Sequence, residues 1–279
     1  MFRRLFLSAC MLAACILSLH AMDAACLNSS IAELWALAGG QVAVTVQEAV
    51  DRGVADDGAI LVDTASGRNI NSEVLIASGC DLVLGSVDTA SHVALKGLMD
   101  SLGIRMVLIR QDSFSDFLSI FRQLTSLTGR EDLWLAHGPA QGEEIASIVD
   151  SCTSQDRRPR VLFVRAGSAF SSVRAKGSGD HFAAGIIEDL GGINVADEYG
   201  MLTESLSLEA MLRADIDKIL IVAQGDEEAS RAYMEDLLCQ PGWRDLGAEV
   251  VFLPKDLFHF KPNGRWSEAY RVMAEALYG

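Results

Sequence analysis

The sequence predicts an α/β fold in two similar lobes, each with a parallel-type central sheet, joined by one long helix. Three observations carry this. Short β-branched runs alternate with apolar runs at helical spacing, the pattern of parallel strands covered by helices. One order of signals (helix, Gly-Gly, strand, capped glutamate, aspartate, strand, helix, strand) occurs twice along the chain. Between the two occurrences lies a stretch with one apolar helical face and no Gly/Ser-rich linker. Strand–helix units repeated in this way make each lobe Rossmann-like.

The chain opens with a leader over 1–21. Arg3 and Arg4 precede "LFLSACMLAACILSL", a basic start and an apolar run broken by small residues, which is the composition of an export signal. Two processing points are open: "LAAC" offers lipidation at Cys15, and "LHAM" offers cleavage after Ala21. An uncleaved anchor is the third alternative. Cleavage after Ala21 leaves 279 − 21 = 258 residues with no second apolar run long enough to span a bilayer.

The first lobe is expected over 22–129. In "NSSIAELWALAGG", Ser30 and Glu33 form a capping box ahead of Ile31, Leu34, Leu37 and Ala38, and Gly39-Gly40 ends the helix before the strand "QVAVTV". In "NSEVLIASGCDLVLG", Asn71 caps a helix, Glu73 sits in its first turn where the dipole favours an anion, and Asp81 introduces the strand "LVLG". "TASHVALKGLMDSLG" is the next helix and "RMVLI" the next strand. The connecting helix falls at 130–156, where Leu133, Leu135, Ile145, Ile148 and Val149 suggest one apolar face and an interruption or bend is expected near Gly138-Pro139.

The second lobe, 157–279, repeats the plan. "RVLFVRA" is a strand, and "GDHFAAGIIEDLGG" is a helix closed by Gly191-Gly192 before the strand "INVA". Ser207 then caps, Glu209 occupies a first turn, and Asp217 introduces "KILIV"; Glu73 to Asp81 and Glu209 to Asp217 have the same separation of eight residues. "EEASRAYMEDLLC" and "EVVFLP" supply the last helix–strand pair before the terminal helix.

Composition excludes several functions. The net charge of −15, or −15 − 2 = −17 once Arg3 and Arg4 are removed, argues against binding nucleic acid or an anionic membrane surface. Cys26, Cys80, Cys152 and Cys239 are too dispersed for a CxxC pattern and read most simply as buried thiols. The five histidines show no HxH or HExxH spacing, so neither a metal site nor a catalytic set is expected, and His92 reads as a helix-surface or core residue. No GxSxG elbow or GxxxxGK[ST] loop occurs, "GSAFSSVRAKGSG" fits no dinucleotide fingerprint, and no cofactor is implied.

A stiff helical strut places a ligand in the cleft between lobes, where loops at the C-terminal ends of the strands face each other. The first lobe offers Ser29 in "LNSS", Ser86 in "GSVDTA" and Arg110 in "IRQDSF", with Asp88, Thr89, Asp112 and Ser113 also available as caps. The second offers Arg165, Phe170, Arg174 and Lys176, and the loop "FHFKPNGRW" adds His259, Lys261, Asn263 and Arg265. Facing basic loops can neutralise an anionic small molecule, with Arg able to bind it bidentately. A solvated surface is the alternative for the polar set. Trp266 and Tyr270, four apart, read as glue between the terminal helix and the sheet.

The segments "LNSSIAELWALAGG", "NSEVLIASGCDLVLG", "SLEAMLRADIDKILIV" and "FHFKPNGRWSEAYRVMAEALYG" resemble the periplasmic-type binding proteins that feed ABC importers for iron-siderophore complexes, haem and cobalamin. The resemblance runs over 24–279. Cys80 stands where a proline is usual, and Cys26-Leu27 replaces a more apolar first strand, so that strand is expected to be irregular. The resemblance implies a rigid monomer that captures a small molecule outside the cytoplasm without chemistry and passes it to a permease dimer driven by a separate ATPase. It also implies docking of one glutamate per lobe on permease arginines, at Glu73 and Glu209 here. An acylated Cys15 would tether such a body peripherally to the membrane. The basic loops favour an anionic iron chelate, whose chelator already fills the metal shell; haem and cobalamin are the alternatives. An extracytoplasmic enzyme on the same two-lobe scaffold is the competing expectation from another class.

Overall fold

A computed structural model of the chain describes residues 22–63, 69–204 and 206–279; the leader and Cys15 lie outside them. The first sheet contains β1 (Ala24–Cys26), β2 (Val42–Thr45), β3 (Ile60–Leu61), β4 (Leu82–Ser86) and β5 (Arg105–Ile109), all parallel, in the order β3-β2-β1-β4-β5. The second contains β6 (Arg160–Ala166), β7 (Arg174–Ala175), β8 (Ile193–Asn194), β9 (Lys218–Ala223) and β10 (Glu249–Leu253) in the order β10-β9-β6-β7, with β8 also on β6. Strands β6, β8, β9 and β10 are parallel, and only the two-residue β7 runs antiparallel in this sheet. The duplicated signals therefore map onto a duplicated topology. In each lobe the chain starts at a central strand, steps outward on one side, then crosses to the other, leaving a switch point between β1 and β4 and another between β6 and β9.

Local chemistry explains the shared elements. Gly39 and Gly191, the first of each Gly-Gly pair, adopt φ of 83° and 82°, a left-handed conformation that ends the preceding helix at low cost only for glycine. Asn71 accepts from the backbone N–H groups of Glu73 and Val74, and Ser207 accepts from Ala210, so both short helices, Ser72–Ala77 and Leu208–Arg213, are capped as expected. The first helix differs. Its cap is Asn28, whose side chain accepts from Ile31 N at 2.8 Å, and Ser30 lies inside the helix Ser29–Leu37. Glu33 pairs with Arg52 at 2.9 Å rather than closing a capping box. Asn caps as well as Ser, and Asn28 leaves β1 in the extended backbone that a cap requires. Strand β1 is three residues long and its register against β2 shifts between Ala24 and Ala25. "INVA" pairs only through Ile193–Asn194, because Asn194 turns to cap the helix Val195–Glu198.

The connecting helix is interrupted at Gly138-Pro139, one of the two outcomes the sequence allows, into Glu131–His137 and Pro139–Thr153. They meet at Gly138, where an added Cβ would lie 2.8 Å from the Trp134 carbonyl oxygen, and Pro139 starts the second piece. The terminal helix Trp266–Tyr278 packs along Pro139–Thr153. One apolar core runs from the first sheet through Trp134, Ile145 and Cys152 into Phe163, Phe182, Trp266 and Leu277, so the lobes share packing as well as a connection. A second cluster around Leu162, Val164, Met211 and Ile221 covers the other face of the second sheet. Cys26, Cys80, Cys152 and Cys239 are free thiols as expected, but only Cys26 and Cys152 are buried; Cys80 is half-buried, and Cys239 is exposed at the end of the helix Glu227–Cys239. Among the described residues no helix is long and apolar enough to cross a membrane.

Candidate functional site

The C-terminal ends of β1, β4 and β5 bring Asn28, Ser30, Ser86, Asp88 and Gln111 to one edge of the first sheet, at its switch point. His259 and Lys261, from the segment after β10, face them across a cavity of about 190 Å³. A second cavity of about 450 Å³ shares Asn28 and Thr89 with the first and extends over Glu48, Asp51 and Asp63. A larger hollow, about 560 Å³, lies between β5 and the helix Phe114–Thr128, lined by Arg105 and Arg122, and is separate from the facing loops.

The second-lobe wall is cationic. Arg165, at the end of β6, donates from Nη2 to His259 Nδ1 at 2.9 Å, while its buried Nε finds no partner among the described residues. A guanidinium only donates, so His259 Nδ1 accepts and its Nε2 carries the proton. Burial first, then Arg165, Lys255 and Arg52, pushes the His259 imidazole down to about 4. His181 lies well below the usual histidine range because it is buried and because Arg165, Lys261, Lys176 and His259 all bear on it. Burial also lowers Arg165. Neither Arg165 nor Lys176 has a carboxylate within ion-pair distance among the described residues. Lys261 does: its ammonium lies 3.3 Å from Asp112 and 3.9 Å from Asp88, and 5.3 Å from the Phe182 ring centroid.

Of the expected contacts, Ser86, His259 and Lys261 line this cavity and Arg165 is bonded to His259 behind it; Lys176 acts on the buried His181 but is not among the lining residues, and six others lie elsewhere. Ser29 is buried with its hydroxyl on Glu48 at 2.6 Å. Arg110 is exposed and paired with Asp112 at 2.8 Å. Phe170 is exposed against Trp243, and the exposed Arg174 donates to the Val173 carbonyl. Arg265 bridges Asp256 and Glu268, the bonds to these carboxylates holding its pKa up, and braces the start of the terminal helix. Asn263 is wholly buried and bonded to the first lobe. Sequence reasoning misses Gln111 and His181, and within "LNSS" it favours Ser29 over its neighbour Asn28. Asn28 and Gln111 each lie two residues beyond the ends of β1 and β5, so the switch-point rule alone points to them.

A model of the periplasmic binding protein family matches residues 25–249. The chain belongs to that family. Solved structures with the same architecture include the periplasmic haem-binding protein RhuT from Roseiflexus sp. RS-1 in apo form, with 20% identity, TM-score 0.74, and 92% of this chain and 98% of that one covered. S. aureus IsdE complexed with haem has 14% identity, TM-score 0.73, and coverage of 92% and 99%. The periplasmic vitamin B12 binding protein BtuF of Vibrio cholerae has 14% identity, TM-score 0.72, and coverage of 92% and 96%. No curated protein matches the chain. At these identities the solved structures establish the fold, and the family establishes extracytoplasmic solute binding and delivery to an ABC importer. Among the described residues no group of three or more His, Cys, Asp or Glu side chains is placed to hold a metal ion. Glu73 and Glu209 are both exposed in the first turns of equivalent helices, Glu209 in an i,i+4 pair with Arg213.

Proposed function

We propose that this binding protein captures an anionic metal chelate of siderophore type between its lobes and delivers it to an ABC importer, docking on the permease through Glu73 and Glu209. The observation that carries the reading is Arg165: a half-buried guanidinium with an unpartnered Nε and no carboxylate partner among the described residues, bonded to His259, which lines the cavity together with Lys261, in a chain of net charge −15. Anionic oxygens of a chelator complete its hydrogen bonds and offset the mutual repulsion of the cationic wall. The polar first-lobe wall, Asn28, Ser30, Ser86 and Gln111, then fixes orientation.

A haem reading draws on the haem-binding proteins of the same fold. The histidines near the cleft speak against it. His92, His181 and His259 each accept a hydrogen bond at Nδ1, from Ser86 N, Ala183 N and Arg165, which leaves the proton on Nε2 and no free lone pair for an axial bond. A thermal-shift panel separates the readings. Ferric catecholate and ferric citrate should raise the melting temperature, by an amount that shrinks with added salt and disappears in Arg165→Met. Stabilisation by hemin or cobalamin alone would transfer the assignment to that solute.

A further inference from the structure

The loop Lys261–Arg265 belongs to the second lobe in sequence yet inserts between two loops of the first. Asn263, at its centre, is fully buried and takes φ of 49°, a left-handed conformation that Asn tolerates better than other residues with a Cβ. Its Nδ2 donates to the Ser30 carbonyl at 3.1 Å, and its Oδ1 accepts from Gln111 Nε2 at 2.8 Å. Two residues earlier, Lys261 N–H donates to Ser30 Oγ at 3.4 Å and the Lys261 ammonium to Asp112 at 3.3 Å.

The direction of this chain of bonds follows from one group. A backbone carbonyl only accepts, so the Asn263 amide must turn its nitrogen to Ser30 and its oxygen to Gln111. Gln111 must then turn its own nitrogen to Asn263, which leaves its Oε1 and second N–H for the cavity it lines. We propose that Asn263 is a positioning residue: without touching the solute, it fixes the spacing between the cleft walls and the hydrogen-bonding polarity of Gln111. Asn263 joins the loops after β1 and β5 to the segment carrying His259 and Lys261, so both walls move if it is cut.

The solute arm of the test rests on the proposed function, whereas the distance arm does not. Spin labels on the exposed native Cys239 and on Ser101→Cys, in a Cys80→Ser background, report the distance between lobes. Asn263→Gly keeps the backbone conformation and removes both bonds; its distance distribution should broaden to longer values while the melting transition stays cooperative. Asn263→Asp should behave like Asn263→Gly at pH 7, where a carboxylate faces the Ser30 carbonyl. It should narrow towards the wild type near pH 4.5, where a protonated carboxyl can donate to Ser30 and accept from Gln111. The wild type, measured at both pH values, is the control for the other charged groups that face this contact, Asp88, Asp112, Lys261 and His259, and a packing role alone gives no such recovery. Ferric citrate and ferric catecholate are the solute probes, and affinity for whichever binds should fall about tenfold in Asn263→Gly. If neither binds the wild type, the chelate assignment fails while the distances still decide the positioning role. An unchanged distribution in Asn263→Gly, or no narrowing of Asn263→Asp on acidification, overturns the proposal.

Discussion

Replacing Trp266 tests whether the two lobes are one packed body. The indole is fully buried, 5.6 Å from the Phe182 ring of the second lobe and 6.1 and 6.4 Å from Phe114 and Phe117 of the first. Trp266→Ala removes a large side chain from a core that cannot fully collapse around the gap, at a cost of about 3–5 kcal/mol. For a chain of this size each kcal/mol moves the melting temperature by roughly 2–4 °C, so a fall on the order of 10 °C is expected. Trp266→Phe should be far milder. The indole Nε1 is buried without a hydrogen-bond partner among the described residues, and deleting an unpaired donor returns about 1–3 kcal/mol against the smaller cavity left. Calorimetry and urea unfolding should show one cooperative transition for all three proteins, with the order wild type, Phe, Ala. An Ala variant within about 1 kcal/mol of wild type, or a Phe variant as unstable as Ala, would refute the packing described.

Other perturbations follow from the same structure. His92 is buried with its imidazole pushed down to about 4 by desolvation, so the unfolded chain takes up a proton near 6.5 that the folded chain refuses. The stability this contributes is complete above about pH 6.5 and is lost as pH falls towards 4, with a ceiling of about 3 kcal/mol; His92→Asn should flatten the acid limb seen in urea unfolding between pH 7 and 4.5. Gly40→Ala would put a Cβ 2.0 Å from the ring of buried Trp35, and the forced shift should cost about 1–3 kcal/mol in the same assay. Charge reversal at both Glu73 and Glu209 should weaken permease association at least tenfold, read by pull-down and uptake, and leave chelate affinity and melting temperature nearly unchanged. Loss of chelate affinity instead would place these residues at the cleft.

Much of the fold was legible because its signals are local. A left-handed glycine after each first helix, a capping Asn71 or Ser207, and an aspartate before β4 or β9 act within a few residues of themselves. Strand β7 was not legible: two residues, Arg174–Ala175, pair antiparallel with β6 and carry no alternation long enough to read. Of the residues proposed for the site, Ser86, His259 and Lys261 share one cavity and Arg165 is bonded to His259. Individual residues failed where a close carboxylate captures the charge, Asp112 for Arg110 and Glu268 with Asp256 for Arg265, because side-chain pairing is decided by rotamer and packing. Asn263 and Gln111 lie 152 residues apart, and only the assembled lobes reveal that they act together.

Native mass spectrometry of the protein, isolated gently after expression in iron-limited cells, tests most directly whether the Arg165 and Lys261 wall holds an anionic chelate. One adduct with the mass of an iron complex is predicted on the wild type, lost when Arg165→Met and Lys261→Met are combined. A wild type that carries no adduct and takes up no ferric chelate on titration, or an adduct that survives the double substitution, would contradict the account.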